Sequence, residues 1–268
     1  VSAPTLNCGS LLPPGKLQPA ALAPFVCVLL LSTSLAQNPW PLHTIDNTSR
    51  GADGVRLADI NADGLMDIAT GWEEGGIVRI YTHPGRSNEK SPWPATTVGK
   101  VKSPEDAVFV DLDNDGAIDV VSSCEGNTKS IFIHWAPKND SEWKTEAFPA
   151  VAGAQAWMYA LPMDIDAKNG IDLFIGSKGK NASVGWLESP KNPRSLSDWK
   201  FHRLQDAGWI MSLIAVDMDN DGDDDILISD RKGPNRGAYW LERPAWKRHE
   251  IGGSNSEIKF IDHGDLDS

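Results

Sequence analysis

Apolar and polar positions along the chain fall into short runs with a period of two, separated by Gly, Pro and Asp. Trp199–Leu204 alternates apolar and polar residues, as a half-buried strand does, and Ile210–Val216 is almost continuously apolar, as in a strand covered on both faces. Asp225–Ser229 and Gly237–Leu241 follow, and Pro244 closes the group. The first part of the chain parses the same way, into Trp40–Ile45, Val55–Ala58, Ile68–Thr70 and Ile77–Tyr81. No segment carries a helical period, so the pattern predicts an all-β protein built from groups of four short strands.

The groups repeat. Asp59-Ile-Asn-Ala-Asp-Gly-Leu-Met-Asp67, Asp111-Leu-Asp-Asn-Asp-Gly-Ala-Ile-Asp119, Asp164-Ile-Asp-Ala-Lys-Asn-Gly-Ile-Asp172 and Asp217-Met-Asp-Asn-Asp-Gly-Asp-Asp-Asp225 start 52, 53 and 53 residues apart. Pro84, Pro137, Pro190 and Pro244 keep the same beat, and Trp40, Trp93, Trp143, Trp199 and Trp246 each precede an Asp motif by 18 to 21 residues. Four strands per repeat of this length is the signature of a β-propeller blade. The predicted blades are 38–90, 91–140, 141–196 and 197–244, with the start of a fifth at 245–268, where Ile258–Asp265 aligns with Ile210–Asp217. That partial unit leads to the expectation of a fragment of a six- to eight-bladed ring.

Residues 1–36 differ from the rest. Phe25–Ala36 is a short apolar run ending in small residues, the pattern of a secretory leader, and too short for the ~20 apolar residues of a membrane span. Its removal would take Cys8 and Cys27 with it and leave Cys124 as a lone core thiol. The expected location is secreted, periplasmic or on the cell surface, with no integral membrane segment once the leader is cleaved. With 25 Lys+Arg against 37 Asp+Glu the net charge is -12, which argues against nucleic acid as a partner.

The nonapeptides are suited to calcium, a hard ion that takes 6–8 oxygen ligands. Acids at positions 1, 3 and 5 of a tight turn converge, Gly at position 6 permits the turn, the carbonyl of position 7 points inward and Asp at position 9 completes the set. Loop one offers Asp59, Asn61, Asp63, Asp67 and the Leu65 carbonyl; loop two, Asp111, Asp113, Asp115, Asp119 and the Ala117 carbonyl; loop four, Asp217, Asp219, Asp221, Asp225 and the Asp223 carbonyl. Loop three has Lys168 at position 5, and its ammonium is expected to exclude a metal. Recurrence once per blade points to a structural role.

The repeated D-x-[DN]-x-D-G-x-x-D on this beat resembles the FG-GAP and VCBS repeat family of integrin-α-like propellers, over residues 38–268. Gly185-Trp-Leu-Glu-Ser-Pro190 and Tyr239-Trp-Leu-Glu-Arg-Pro244 look like its bacterial secreted branch. The resemblance implies a calcium-binding, commonly seven-bladed propeller, in a family that also includes lectins and polysaccharide lyases. No G-x-S-x-G, H-E-x-x-H or Gly-rich phosphate loop appears. Trp157 and Trp209 fall outside the repeat register and are candidate platforms for sugar rings. The expected function is an extracellular module binding polysaccharide or protein. The alternatives are a polysaccharide lyase or other carbohydrate-active enzyme, and a structural or adhesive module of a larger exported protein.

Overall fold

The computed structural model describes residues 40–138 and 142–264. The leader expected at 1–36, and Asp265 and Asp267 of the expected fifth unit, lie outside the described residues. The chain divides into two compact units, Val1–Pro41 and Leu42–Ser268, and the second carries the fold.

That unit contains four antiparallel four-stranded sheets arranged as a four-bladed β-propeller. Blade one is β1 (Ala52–Ala58), β2 (Asp67–Trp72), β3 (Ile77–Tyr81) and β4 (Ala95–Gly99). Blade two is β5 (Pro104–Val110), β6 (Asp119–Cys124), β7 (Ser130–Trp135) and β8 (Lys144–Ala147). Blade three is β9 (Ala156–Met163), β10 (Asp172–Lys178), β11 (Ser183–Glu188) and β12 (Lys200–Asp206). Blade four is β13 (Ile210–Val216), β14 (Asp225–Asp230), β15 (Gly237–Glu242) and β16 (Lys247–Gly252). Among the described residues the one helical element is a 3-10 turn, Leu196–Asp198.

Position within a blade explains the sequence pattern. The second strands β6 and β14 are buried along their whole length: β6 lies between two apolar layers, while β14 belongs to one, and blade four also carries residues 258–264. The last strands β12 and β16 lie at the sheet edge and mix exposed with half-buried positions. Successive blades pack through three apolar layers. Ala69, Val78, Val98, Val120 and Cys124 lie between blades one and two. Val121, Ile133, Trp157, Leu173 and Leu187 lie between two and three, and Phe174, Leu213, Ile228, Tyr239 and Leu241 between three and four. Cys124 is a free, buried thiol, as expected of a small core residue.

Two expectations need correction. The strand after each repeat Trp closes a blade instead of opening the next, since β12 pairs with β11 and β16 with β15. A repeat fixes the period of a propeller but not the point at which one blade ends. Trp40–Ile45 is not a strand, because the described residues supply no preceding third strand for it to pair with. The described residues form the four full blades that the repeat predicts. Residues 258–264, the expected fifth inner strand, form no strand. They lie on blade four, where Ile261 N–H donates to Ser212 Oγ at 3.2 Å and Ser229 Oγ donates to the Lys259 carbonyl.

Candidate functional site

Each Asp motif links the first strand of a blade to the second, so all four lie at the same end of their blades. Loops one, two and four share one hydrogen-bond scheme. The position 1 carboxylate accepts the N–H groups of positions 5 and 6: Asp63 and Gly64 on Asp59 at 3.1 and 2.8 Å, Asp115 and Gly116 on Asp111 at 3.0 and 2.9 Å, Asp221 and Gly222 on Asp217 at 3.2 and 3.1 Å. Position 5 accepts the N–H of position 7, so Leu65, Ala117 and Asp223 donate at 2.8, 2.9 and 3.1 Å. Gly64, Gly116 and Gly222 hold φ of 79°, 86° and 99°, in the left-handed region that glycine enters without strain.

Position 9 is a buried clamp in every blade. One oxygen of Asp67, Asp119, Asp172 and Asp225 accepts the N–H of motif position 2, and the other accepts the N–H following the third strand, two residues on in blade one. The second set of donors is His83, Ala136, Ser189 and Arg243, at 2.7, 2.7, 2.8 and 3.0 Å. Burial raises the carboxyls of Asp119 to about 7 and Asp172 to about 6, and raises that of Asp225, against the pull of these donors.

Carboxylate oxygens converge to within 4.8 Å in three of the loops: Asp111, Asp113 and Asp115; Asp217, Asp219 and Asp225; and Asp164, Asp166 and Asp172. In loop one Asn61 interrupts the carboxylate set but keeps an oxygen, which accepts from Asp63 N–H at 3.0 Å. Loop three converges too, and Lys168 Nζ lies 3.1 Å from Asp166 Oδ2. Its turn differs: Ala167 at position 4 has φ of 56°, like Ala62, Asn114 and Asn220, but both Asn169 and Gly170 follow with positive φ, 58° and 100°. The donors are all hard oxygens, and Asp113 Oδ1 is buried with no hydrogen-bond partner. An oxygen-seeking cation fits these residues.

The two candidate sugar platforms separate. Trp157 is fully buried between blades two and three, donates to the Val151 carbonyl at 3.1 Å and packs edge-on to Phe201. It presents no face to a ligand, which corrects its assignment as a platform. Its departure from the repeat register reflects core packing. Trp209 is half-buried, with Lys178, Arg231 and Lys232 over its ring at 4.8, 4.6 and 4.8 Å.

Trp209 belongs to a charged mouth that the motif search missed, at the strand ends away from the Asp loops. The sixth residue after each position 9 Asp is Glu73, Glu125, Lys178 and Arg231, two acids then two bases. Lys178 joins the sets, pairing with Glu125 and with Glu105 at 3.2 Å. Asp53 lies beside Glu73 and Glu105. Burial and the neighbouring Glu125 push Glu105 to about 8 against the pull of Lys178, and they raise Glu73 as well. Glu125 is lowered despite its burial, through hydrogen bonds with Lys178 and Glu105. Nearer the axis, Arg56 forms a two-pronged pair with buried Asp106 at 2.9 and 3.0 Å and lies over the Tyr159 ring at 5.3 Å, tying β1, β5 and β9 together. The repeat register of Glu73, Glu125, Lys178 and Arg231 was the available signal.

Comparison with known proteins gives a solved structure and a repeat family. An endo-arabinase from Bacteroides thetaiotaomicron VPI-5482 is similar in structure at 12% sequence identity and a TM-score of 0.47, over 80% of this chain and 81% of that one. No curated protein matches the chain. Residues 59–122, which span loop one through the whole of loop two and into β6, match the FG-GAP-like repeat. The chain is therefore a β-propeller that carries an FG-GAP-like repeat.

Proposed function

We propose that this protein is an exported, calcium-stabilised propeller that binds extracellular polysaccharide, with a protein as the other candidate partner, through the mouth around Trp209. The observation that carries the reading is the shared geometry of loops one, two and four, all-oxygen sites recurring in three of the four blades at one end of the fold. A metal in these loops would hold each first strand against its second and leave the opposite end free for a ligand. There, a half-buried indole beside both acids and bases suits a sugar ring with charged or hydroxyl substituents.

Thermal unfolding in millimolar calcium and in chelator tests the metal, since binding to the folded state alone raises its stability. Identical curves refute it. Size-exclusion chromatography with a panel of soluble polysaccharides tests the partner. Co-elution that Trp209→Ala abolishes supports the reading. Elution of protein and polymer apart, with the polymer intact, transfers the mouth to a protein partner. A second reading, a carbohydrate-active enzyme, is favoured by the carboxyl cluster of Asp53, Glu73 and Glu105 with Lys178 at 3.2 Å from Glu105 in the same mouth. Shortening of a polymer that Glu105→Gln abolishes would establish it.

A further inference from the structure

Loop two differs from loops one and four in that cations of the chain itself lie on its acids at positions 3 and 5; in loop four Arg243 Nε instead reaches Asp223, at position 7, at 3.3 Å. Arg194 comes from the connection between β11 and β12 in blade three. It crosses to blade two, pairs with Asp113 through Nε and reaches Asp115 Oδ2 through Nη2 at 3.2 Å. Lys138 Nζ lies 2.8 Å from the same Asp115 oxygen. The guanidinium sits 4.4 Å over the Trp135 ring, and Trp135 is itself buried and anchored by donating to Glu146 Oε2 at 2.9 Å. Among the described residues, no Lys or Arg pairs with Asp59, Asp63, Asp217, Asp219 or Asp221.

Asp113 shows that the guanidinium does not complete the site. Its side chain is 8% exposed, one oxygen faces Arg194, and the other is buried without a partner. A planar fork satisfies one edge of a carboxylate, whereas a spherical cation among Asp111, Asp113 and Asp115 can take the oxygens turned toward it. Both cannot hold the same carboxylate edges.

We propose that Arg194 is a tethered competitor for the cation site of loop two, so that this loop fills after loop four and its filling releases a clasp between blades two and three. The inference rests on the metal-binding reading above. The Trp135 ring gives the displaced guanidinium a surface on which to remain.

The test uses the full chain with Asp59→Asn, Asp164→Asn and Asp217→Asn, which leaves loop two as the intact acidic loop. Calcium binding is measured by calorimetry with and without Arg194→Gln. Removing one positive charge a few ångströms from a divalent ion is expected to tighten binding about tenfold. Arg194→Lys keeps the charge but loses the fork and the stack, and is expected to fall between. In the unaltered chain, modification of Arg194 by phenylglyoxal, followed by peptide mass spectrometry, is expected to quicken in calcium relative to chelator. That arm decides the matter if Arg194→Gln fails to fold. Unchanged or weaker calcium binding in Arg194→Gln, or protection of Arg194 by calcium, overturns the proposal while leaving metal binding intact. Absence of calcium binding in every form, the unaltered chain included, overturns the metal reading and this inference with it.

Discussion

His134 on β7 sets a lower pH limit on stability whose size follows from its surroundings. The ring is fully buried between blades one and two. Nε2 lies 2.9 Å from Ser122 Oγ and Nδ1 2.9 Å from Thr145 Oγ1, so two hydroxyls satisfy the neutral imidazole in either tautomer. Gly99 faces it so closely that a Cβ there would fall 2.2 Å from the ring. No carboxylate pairs with it among the described residues, and burial lowers its pKa from 6.5 to about 3. As pH falls below the unfolded value, the unfolded chain takes up a proton that the folded state refuses. Stability is therefore lost from about pH 6.5 downward, at about 1.4 kcal/mol per pH unit. By about pH 4 the loss from this group is about 3 kcal/mol. Glu105, raised to about 8, acts in the opposite direction, so the contribution has to be isolated by difference. His134→Gln keeps hydrogen-bonding capacity and cannot titrate. Urea unfolding of both proteins, followed by Trp fluorescence, is expected to show the wild-type advantage at about pH 7.5 shrinking by about 3 kcal/mol at about pH 4. A gap that stays constant across that range refutes the assignment of a neutral, desolvated imidazole.

Three further outcomes follow from single contacts. Arg56→Ala leaves Asp106 buried without its two-pronged partner and is expected to cost about 3–5 kcal/mol in urea unfolding, with Arg56→Ala/Asp106→Ala less damaging than the sum of the two single changes. Trp157→Ala opens a cavity between blades two and three and is expected to cost about 3–5 kcal/mol without altering retention on any polysaccharide that the protein binds. Asp172→Ala removes the acceptor for Ile165 and Ser189 N–H and is expected to cost about 2–3 kcal/mol in chelator, measured by chemical unfolding.

The fold was legible because a blade has a strict internal order. A continuous apolar run such as Ile210–Val216 and an alternating one such as Trp199–Leu204 reflect the first and the last strand of a blade, and the structure places them as β13 and β12 with bounds within two residues of those read from the pattern. What the pattern could not carry was phase. The Trp strand sits midway between two sheets in sequence, and only its hydrogen bonds to the strand before it show where it belongs. The Asp loops were legible for the same local reason, since all their ligands lie within nine residues. The mouth was not, because Glu105, Glu125, Lys178 and Trp209 come from three blades and meet only after the ring forms. Arg194 was hidden in the same way, 79 positions along the chain from Asp115.

The position 9 Asp separates two roles that the motif merges. In loop three Lys168 stands in place of the position 5 acid, yet Asp172 makes the same two backbone bonds as Asp67, Asp119 and Asp225. Those bonds join the start of the motif to the chain that follows the third strand, and so fix the first and third strands against the second. Each satisfies a backbone N–H that would otherwise go unpaired. This work is done without a cation and in all four blades. The ninth Asp therefore marks a blade corner in all four blades, while the acids at positions 1, 3 and 5 carry the candidate cation set, which the ninth Asp joins in loops three and four. Counting whole motifs counts blades; counting acids at positions 3 and 5, and the basic side chains that reach them, decides which blades are suited to an ion.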